Sequence, residues 1–274
     1  MAIDLASRRI GFIGCGAMAE ALASGLIAAG VNATHLMASD VAPAQRSRFE
    51  ERLGVKTSSE NGDVVSGSDV VVLAVKPGAV ASVLRELGAS PESTSCLWIS
   101  IAAGVTLRTL SAALPEGARI VRAMPNTPAL VRAGATGLCT NSFARPDDGA
   151  TAEALFRAVG SVWTAPDESL LDAVTGLSGS GPAYVFVILE ALSDAGVRVG
   201  LPREASTQLA VQTVYGAALL ALETGRHPAS LKDQVTSPGG TTIAGLERLE
   251  AGGLRAALYE AVAAATARSR ELAG

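Results

Sequence analysis

The stretch "RIGFIGCGAMAEALASGLIAAG", residues 9–30, decides the fold. Its apolar start reads as a β-strand running straight into Gly14-Cys15-Gly16-Ala17-Met18-Ala19, which fits G-x-G-x-x-A. A helix then follows and closes at Gly30. In that setting Gly14 makes the tight turn and Gly16 lets backbone approach a pyrophosphate. Ala19 allows the helix to pack closely on the strand. Bare N–H groups at the helix start suit an anion. The pattern predicts a dinucleotide site.

The rest of the first half keeps the same rhythm. "HLMASD" (35–40), "DVVVLAV" (69–75), "CLWISIAA" (96–103) and "RIVRAM" (119–124) read as further strands, and "GATGLCT" (134–140) as an edge strand. Continuous apolar strands are expected where helices cover both faces of a parallel sheet. After about residue 166 the strands stop. A long helix interrupted around 178–182 is expected next, then helices near 203–224, 229–235, 241–251 and 254–272, with Pro202 opening one and Gly225 closing it. The expected fold is therefore α/β: a doubly wound Rossmann domain over residues 1–166, then an all-α domain over 167–274.

Composition narrows the function. The chain has 274 residues, 49% hydrophobic but only 4% aromatic, so Ala, Val and Leu must build the core and the subunit contacts. A net charge of −4 and no basic run argue against nucleic acid. The longest wholly apolar runs are short of a membrane span. "MAIDLASRR" lacks the layout of a signal peptide. Cys15, Cys96 and Cys139 show neither metal nor disulfide spacing, which suits a reducing cytoplasm.

Asp40, 21 residues beyond Ala19, is where an acid accepts hydrogen bonds from an adenosine ribose, which favours NAD. Ser39, Arg46 and Arg48 could instead hold a 2′-phosphate, and the two arginines could equally form a solvated helix face. Proton donors are scarce: His35 and His227, with Lys56, Lys76 and Lys232. Lys76 follows a strand at the carboxyl edge of the sheet, in "AVKP" (74–77). Glu168 and Asp172 stand one helical turn apart, either facing a cleft or forming a charge pair at a helix start.

A second glycine turn, "SPGGTT" (237–242), also feeds a helix. Hydroxyls and backbone N–H groups, with few charges, suit a substrate that brings its own positive charge and a carboxylate. A cyclic imine acid fits, because its protonated C=N is already an electrophile.

These segments, with "SIAAGVTL" (100–107), "MPNTPALVRAGAT" (124–136), "DAVTGLSGSGPAY" (172–184) and "LKDQVTSPGGTTIAGLERLE" (231–250), resemble the pyrroline-5-carboxylate reductase family over essentially the whole chain. The resemblance implies reduction of 1-pyrroline-5-carboxylate to L-proline with NADPH or NADH. It also implies a homodimer through the helical domain that assembles further, into a form such as a decamer.

Carried over by residue, Gly14, Cys15, Gly16, Ala17, Met18 and Ala19 take the pyrophosphate, and Ser39 lies at the ribose end beside Asp40. Asn61 matches a contact to the phosphorylated ribose. Ala74, Val75, Lys76 and Pro77, with Ala102, Ala103 and Gly104, line the nicotinamide side. Ser237, Gly239, Gly240, Thr241 and Thr242 wrap the carboxylate, Thr242 also reaching the ring nitrogen, and Glu168 aligns with an acid near the substrate. Asp40 stands where several members have a neutral residue, which leaves NADPH preference open. Gln234 replaces an asparagine beside the cofactor, amide for amide.

Two rivals remain in view. A 3-hydroxyacid dehydrogenase of the helical-domain type would place a lysine in the glycine-rich helix, and "GSGPAYVFVILEAL" (179–192) has none. A non-catalytic cofactor-binding regulator would be expected to lose the carboxylate loop, and "SPGGTT" is intact.

Overall fold

A computed structural model describes residues 3–87 and 91–273, so Met1 and Ala2 of the opening segment lie outside it. Eight strands form one sheet: β1 (Ile10–Ile13), β2 (Leu36–Ser39), β3 (Lys56–Ser58), β4 (Val70–Leu73), β5 (Leu97–Ser100), β6 (Arg119–Met124), β7 (Gly134–Thr140) and β8 (Gly160–Thr164). Their spatial order is 3-2-1-4-5-6-7-8. All neighbours run parallel except β6 and β7. Ile10 pairs with Leu36 on one side and Val70 on the other, so the sheet reverses direction of growth at β1 and β4. In an open α/β sheet that switch point is where ligands sit, beyond the carboxyl ends of the strands.

The strand sequences dictate two buried faces. Side chains alternate across a strand, so Val70, Val72, Leu97 and Ile99 join one apolar layer. Val71, Leu73 and Trp98 join the other. Helices α1 (Ala17–Ala28), α2 (Pro43–Leu53), α3 (Asn61–Gly67), α4 (Pro77–Leu87), α5 (Leu107–Ala113) and α6 (Pro146–Arg157) lie between the strands in sequence and supply apolar side chains to those layers. On α1 close packing depends on Gly25: a Cβ there would sit 2.4 Å from Val159 Cγ1 and 2.8 Å from the Ala158 carbonyl oxygen.

Two strands depart from the sequence expectation. β3 is three polar-leaning residues with one exposed end, too short for a periodic signal. β8 pairs in parallel with β7, so residues 134–140 form an interior strand and β8 takes the edge. The strands do end before 166, at Thr164.

Six helices follow: α7 (Leu170–Val174), α8 (Gly181–Arg198), α9 (Arg203–Thr224), α10 (Pro228–Gln234), α11 (Thr241–Ala251) and α12 (Leu254–Ala273). Thr175–Gly179 is a turn of π-helix at the expected interruption. By compactness the described residues up to Ser180 group with those from Ala263 onward, and Gly181–Val262 form a second unit. The two units are therefore not cut where the strands stop.

Within the second unit α8 and α9 pack through Gly196, where a Cβ would fall 2.0 Å from Ser206 Oγ, and Ser206 Oγ donates to the Ser193 carbonyl at 2.6 Å. Little else in it is covered. Phe186 is 64% exposed, Leu222 79% and Tyr259 73%. By length and composition α9 could cross a membrane, yet only 11% of its apolar window is buried in this chain. Helices apolar on every side require cover.

Gly25→Ala should overpack the α1 contact and destabilise the fold by about 1–3 kcal/mol. A urea midpoint for Gly25→Ala equal to that of the parent chain would remove this contact from the account.

Candidate functional site

The first glycine turn is knitted to the end of β2 by two hydrogen bonds, and a third fixes Asp40 itself. Gly14 N–H donates to the Ser39 carbonyl at 2.7 Å. Cys15 N–H donates to Asp40 Oδ2 at 2.9 Å, and Ala42 N–H to Asp40 Oδ1 at 2.9 Å. Gly14 has φ +105°, a conformation that L side chains avoid, and a Cβ would lie 2.8 Å from the Ala74 carbonyl oxygen. Gly16 is the opposite case: nothing lies within 4 Å of where its Cβ would be. It is the N-cap of α1, and no side chain among the described residues caps that helix. The first-turn N–H groups of α1 therefore have no side-chain cap, and the open space lies where a Cβ at Gly16 would stand. These residues fit a dinucleotide pyrophosphate.

Ser39 is fully buried, and its Oγ donates to Asn61 Oδ1 at 2.8 Å. The Asn61 amide hydrogens are what remain for a ligand. Ala74 N–H donates to the Ile13 carbonyl, which sets the Ala74–Pro77 segment at the end of β4 beside the glycine turn. Lys76 is exposed there. Ala102, Ala103 and Gly104 follow β5 at the same edge of the sheet, with Ala102 buried. Met18 packs against the apolar layer that holds Ala19, so both serve the helix–sheet contact. The Cys15 thiol is pushed up to about 12, first by burial and then by the neighbouring Asp40 carboxylate. It is an inert thiol.

The second unit holds the other glycine turn. Gly239 has φ +65°, and Gly240 N–H donates to the Ser237 carbonyl at 3.1 Å to close the turn. Gly240 is then the N-cap of α11, again with no side-chain cap among the described residues. A cleft of about 500 Å³ opens here, lined by Lys232, Gly239, Gly240, Ile243, Glu247 and Glu250 among others. Lys232 pairs with Asp233 at 2.8 Å, and Glu250 with Arg255 at 2.8 Å. Thr241 and Thr242 begin the helix, Thr242 half-buried. Gln234 ends α10 in the same unit and is exposed.

Glu168 lies in the first unit and already has partners. Its Oε1 accepts from Leu107 N–H at 2.7 Å and from Arg122 Nη1 at 2.7 Å. The Arg122 side chain is 5% exposed, and that of Glu168 27%. Asp172 accepts from Ser269 Oγ at 2.7 Å in a buried contact. These two acids, one turn apart in sequence, are thus drawn to different partners. His35 Nδ1 lies 2.7 Å from the Ala6 carbonyl, and His227 Nδ1 caps α10 by accepting from Ala229 N–H. Arg122 is the residue that sequence reasoning missed, since nothing in a strand pattern marks a buried cation.

Residues 168–272 match a family model described as pyrroline-5-carboxylate reductase dimerisation. Residues 9–104 match one described as NADP oxidoreductase, coenzyme F420-dependent. A pyrroline-5-carboxylate reductase of Methanosarcina acetivorans is 49% identical over 267 residues, which cover 97% of this chain and 98% of that protein. The chain belongs to the pyrroline-5-carboxylate reductase family. A Coxiella burnetii member superimposes with a TM-score of 0.94 at 43% identity, covering 98% of this chain and 99% of that one. A Plasmodium falciparum pyrroline carboxylate reductase solved with NADP bound gives 0.87 at 32% identity, covering 99% of this chain and 100% of its own. The reductase dimerisation match covers α8 to α11 and most of α12, where the exposed apolar helices lie.

Removing the Glu168 carboxylate strands a buried guanidinium. Glu168→Ala should lower stability by about 2–3 kcal/mol, the lower end for a buried pair because Glu168 is partly exposed. An unchanged melting temperature with a raised KM would instead make Glu168 a substrate contact. Native Cys15 should alkylate at pH 8 roughly a thousandfold more slowly than a free thiol, read by mass spectrometry.

Proposed function

We propose that this chain reduces 1-pyrroline-5-carboxylate to L-proline with NADPH or NADH, the last step of proline synthesis. The carrying observation is the pair of uncapped glycine-led helix starts, at Gly16 and Gly240, in a chain of the reductase family. One suits a pyrophosphate and the other a carboxylate.

When bound, NAD(P)H would supply a hydride to the carbon of the C=N, the ring nitrogen keeping its proton, to leave a secondary amine and NAD(P)+. The protein's part is placement. Gly14–Ala19, Ser39, Asp40 and Asn61 hold the cofactor's phosphate and ribose end. Ala74–Pro77 and Ala102–Gly104 set its nicotinamide, and Gln234 serves it from the helical part of the chain. Ser237, Gly239, Gly240 and Thr241 present N–H groups and hydroxyls to the substrate carboxylate. Thr242 is the catalytic residue, its hydroxyl bonding the ring nitrogen. Glu168 has the weakest claim to the substrate, because Arg122 and Leu107 already occupy its Oε1.

On this reading residues 1–166 serve the cofactor and residues 167–274 the substrate and the partner copy. The apolar faces of α8, α9 and α12 are covered in a homodimer, with larger rings such as a decamer built from dimers. Dimer burial, rather than a bilayer, then accounts for α9. Neither metal nor nucleic acid enters the reading, and the place of work is the cytoplasm.

Saturable loss of nicotinamide absorbance on adding 1-pyrroline-5-carboxylate, with L-proline as product, is the expected result. Folded, cofactor-binding protein without turnover would sink the assignment. Thr242→Val should lower kcat/KM by roughly 10- to 100-fold, as for one hydrogen bond that strengthens in the transition state. An unchanged value would remove Thr242 from the mechanism.

A further inference from the structure

NADH and NADPH differ only at the adenosine 2′ position, a hydroxyl in one and a phosphate in the other. We propose that Asp40 makes this chain select NADH over NADPH, an inference that rests on the cofactor reading of the Gly14–Ala19 turn. Asp40 directly follows β2, 21 residues after Ala19, where an acid in this fold takes the ribose hydroxyls. What the structure adds is that its carboxylate is held in place. Oδ2 accepts from Cys15 N–H and Oδ1 from Ala42 N–H, both at 2.9 Å, so the charge is pinned to the glycine turn itself.

Each carboxylate oxygen has a second lone pair, enough to accept from the 2′ and 3′ hydroxyls together. A 2′-phosphate has only acceptors to offer and brings about −1.5 to −2 charges against a carboxylate that cannot swing away.

Of the neighbouring cations, two are drawn toward Glu20 and one stays beside Asp40. Arg48 and Arg52 both pair with Glu20 of α1, at 2.8 and 2.5 Å, and the Glu20 side chain is only 11% exposed. Arg46 donates its Nη1 to the Asp40 carbonyl oxygen at 2.7 Å. It keeps its remaining donors beside Asp40, so its charge offsets part of the repulsion and the pinned carboxylate must outweigh it. The Asn61 amide donors serve a hydroxyl as well as a phosphate and do not discriminate.

The test is a binding titration of the full-length protein, by calorimetry or nicotinamide fluorescence, with NADH and NADPH separately and without substrate. The expected result is a Kd for NADH at least about tenfold below that for NADPH. Asp40→Ser should narrow or invert that ratio, chiefly by tightening NADPH. Asp40→Asn, which keeps an oxygen for one of the two N–H groups while losing the charge, should move the ratio the same way if serine disturbs the turn. Equal or tighter NADPH binding by the unaltered chain would overturn the proposal, as would a ratio indifferent to both substitutions. Failure of both nucleotides to bind would overturn the cofactor site and this proposal with it.

Discussion

A helix that starts at a glycine has no side-chain oxygen to receive its first N–H groups, and those groups must find an acceptor elsewhere. Two helices in this chain begin that way at its glycine turns, α1 after Gly16 and α11 after Gly240. Most other features of the site support these two starts. Gly14 takes the left-handed turn that Ala74 leaves no room to avoid with a side chain. Ser39 and Asp40 anchor the turn from the end of β2, through backbone and carboxylate respectively. Gly239 supplies the corresponding left-handed residue in the second turn. The chemistry needs little more than this, because a protonated imine requires orientation more than acid strength.

The two units satisfy their apolar surface in different ways. In the first, every strand of the β1–β4–β5 centre is buried on both faces, and helices close the layers within one chain. In the second, α9 buries only Ser206 and Ala210, and α11 buries nothing. A unit of this kind gains its burial from a partner, which is what a dimerisation family match over the same residues describes. Scarce aromatic residues and abundant Ala and Leu suit such an interface, since small side chains let helices approach.

Most of the architecture was legible because it is written in long periodic runs. "DVVVLAV" is apolar at every strand position, and Gly30, Pro202 and Gly225 punctuate the helices. β3 was hidden because Lys56-Thr57-Ser58 is short and polar, and its place follows only from pairing with β2. β8 was hidden because Gly160–Thr164 has no continuous apolar run and no fully buried position, which in turn misplaced the sheet edge at β7. Of the site, the glycine turns were legible as backbone chemistry at fixed spacing. The Asp40–Cys15 bond and the Arg122–Glu168 pair were not, because each joins residues far apart in sequence and no local pattern encodes a tertiary contact.

On the proposed function the two glycine turns divide the labour between cofactor and substrate, and Gly239→Val tests that division most directly. A β-branched residue is strongly disfavoured at φ +65°, so the second turn must change shape while the exposed position spares the core. Two constants from one preparation then matter, the Kd for NADH and the KM for 1-pyrroline-5-carboxylate. A KM raised at least about tenfold with a Kd within about twofold of the parent value is the predicted result. A lost nucleotide affinity with an unchanged KM would contradict the account.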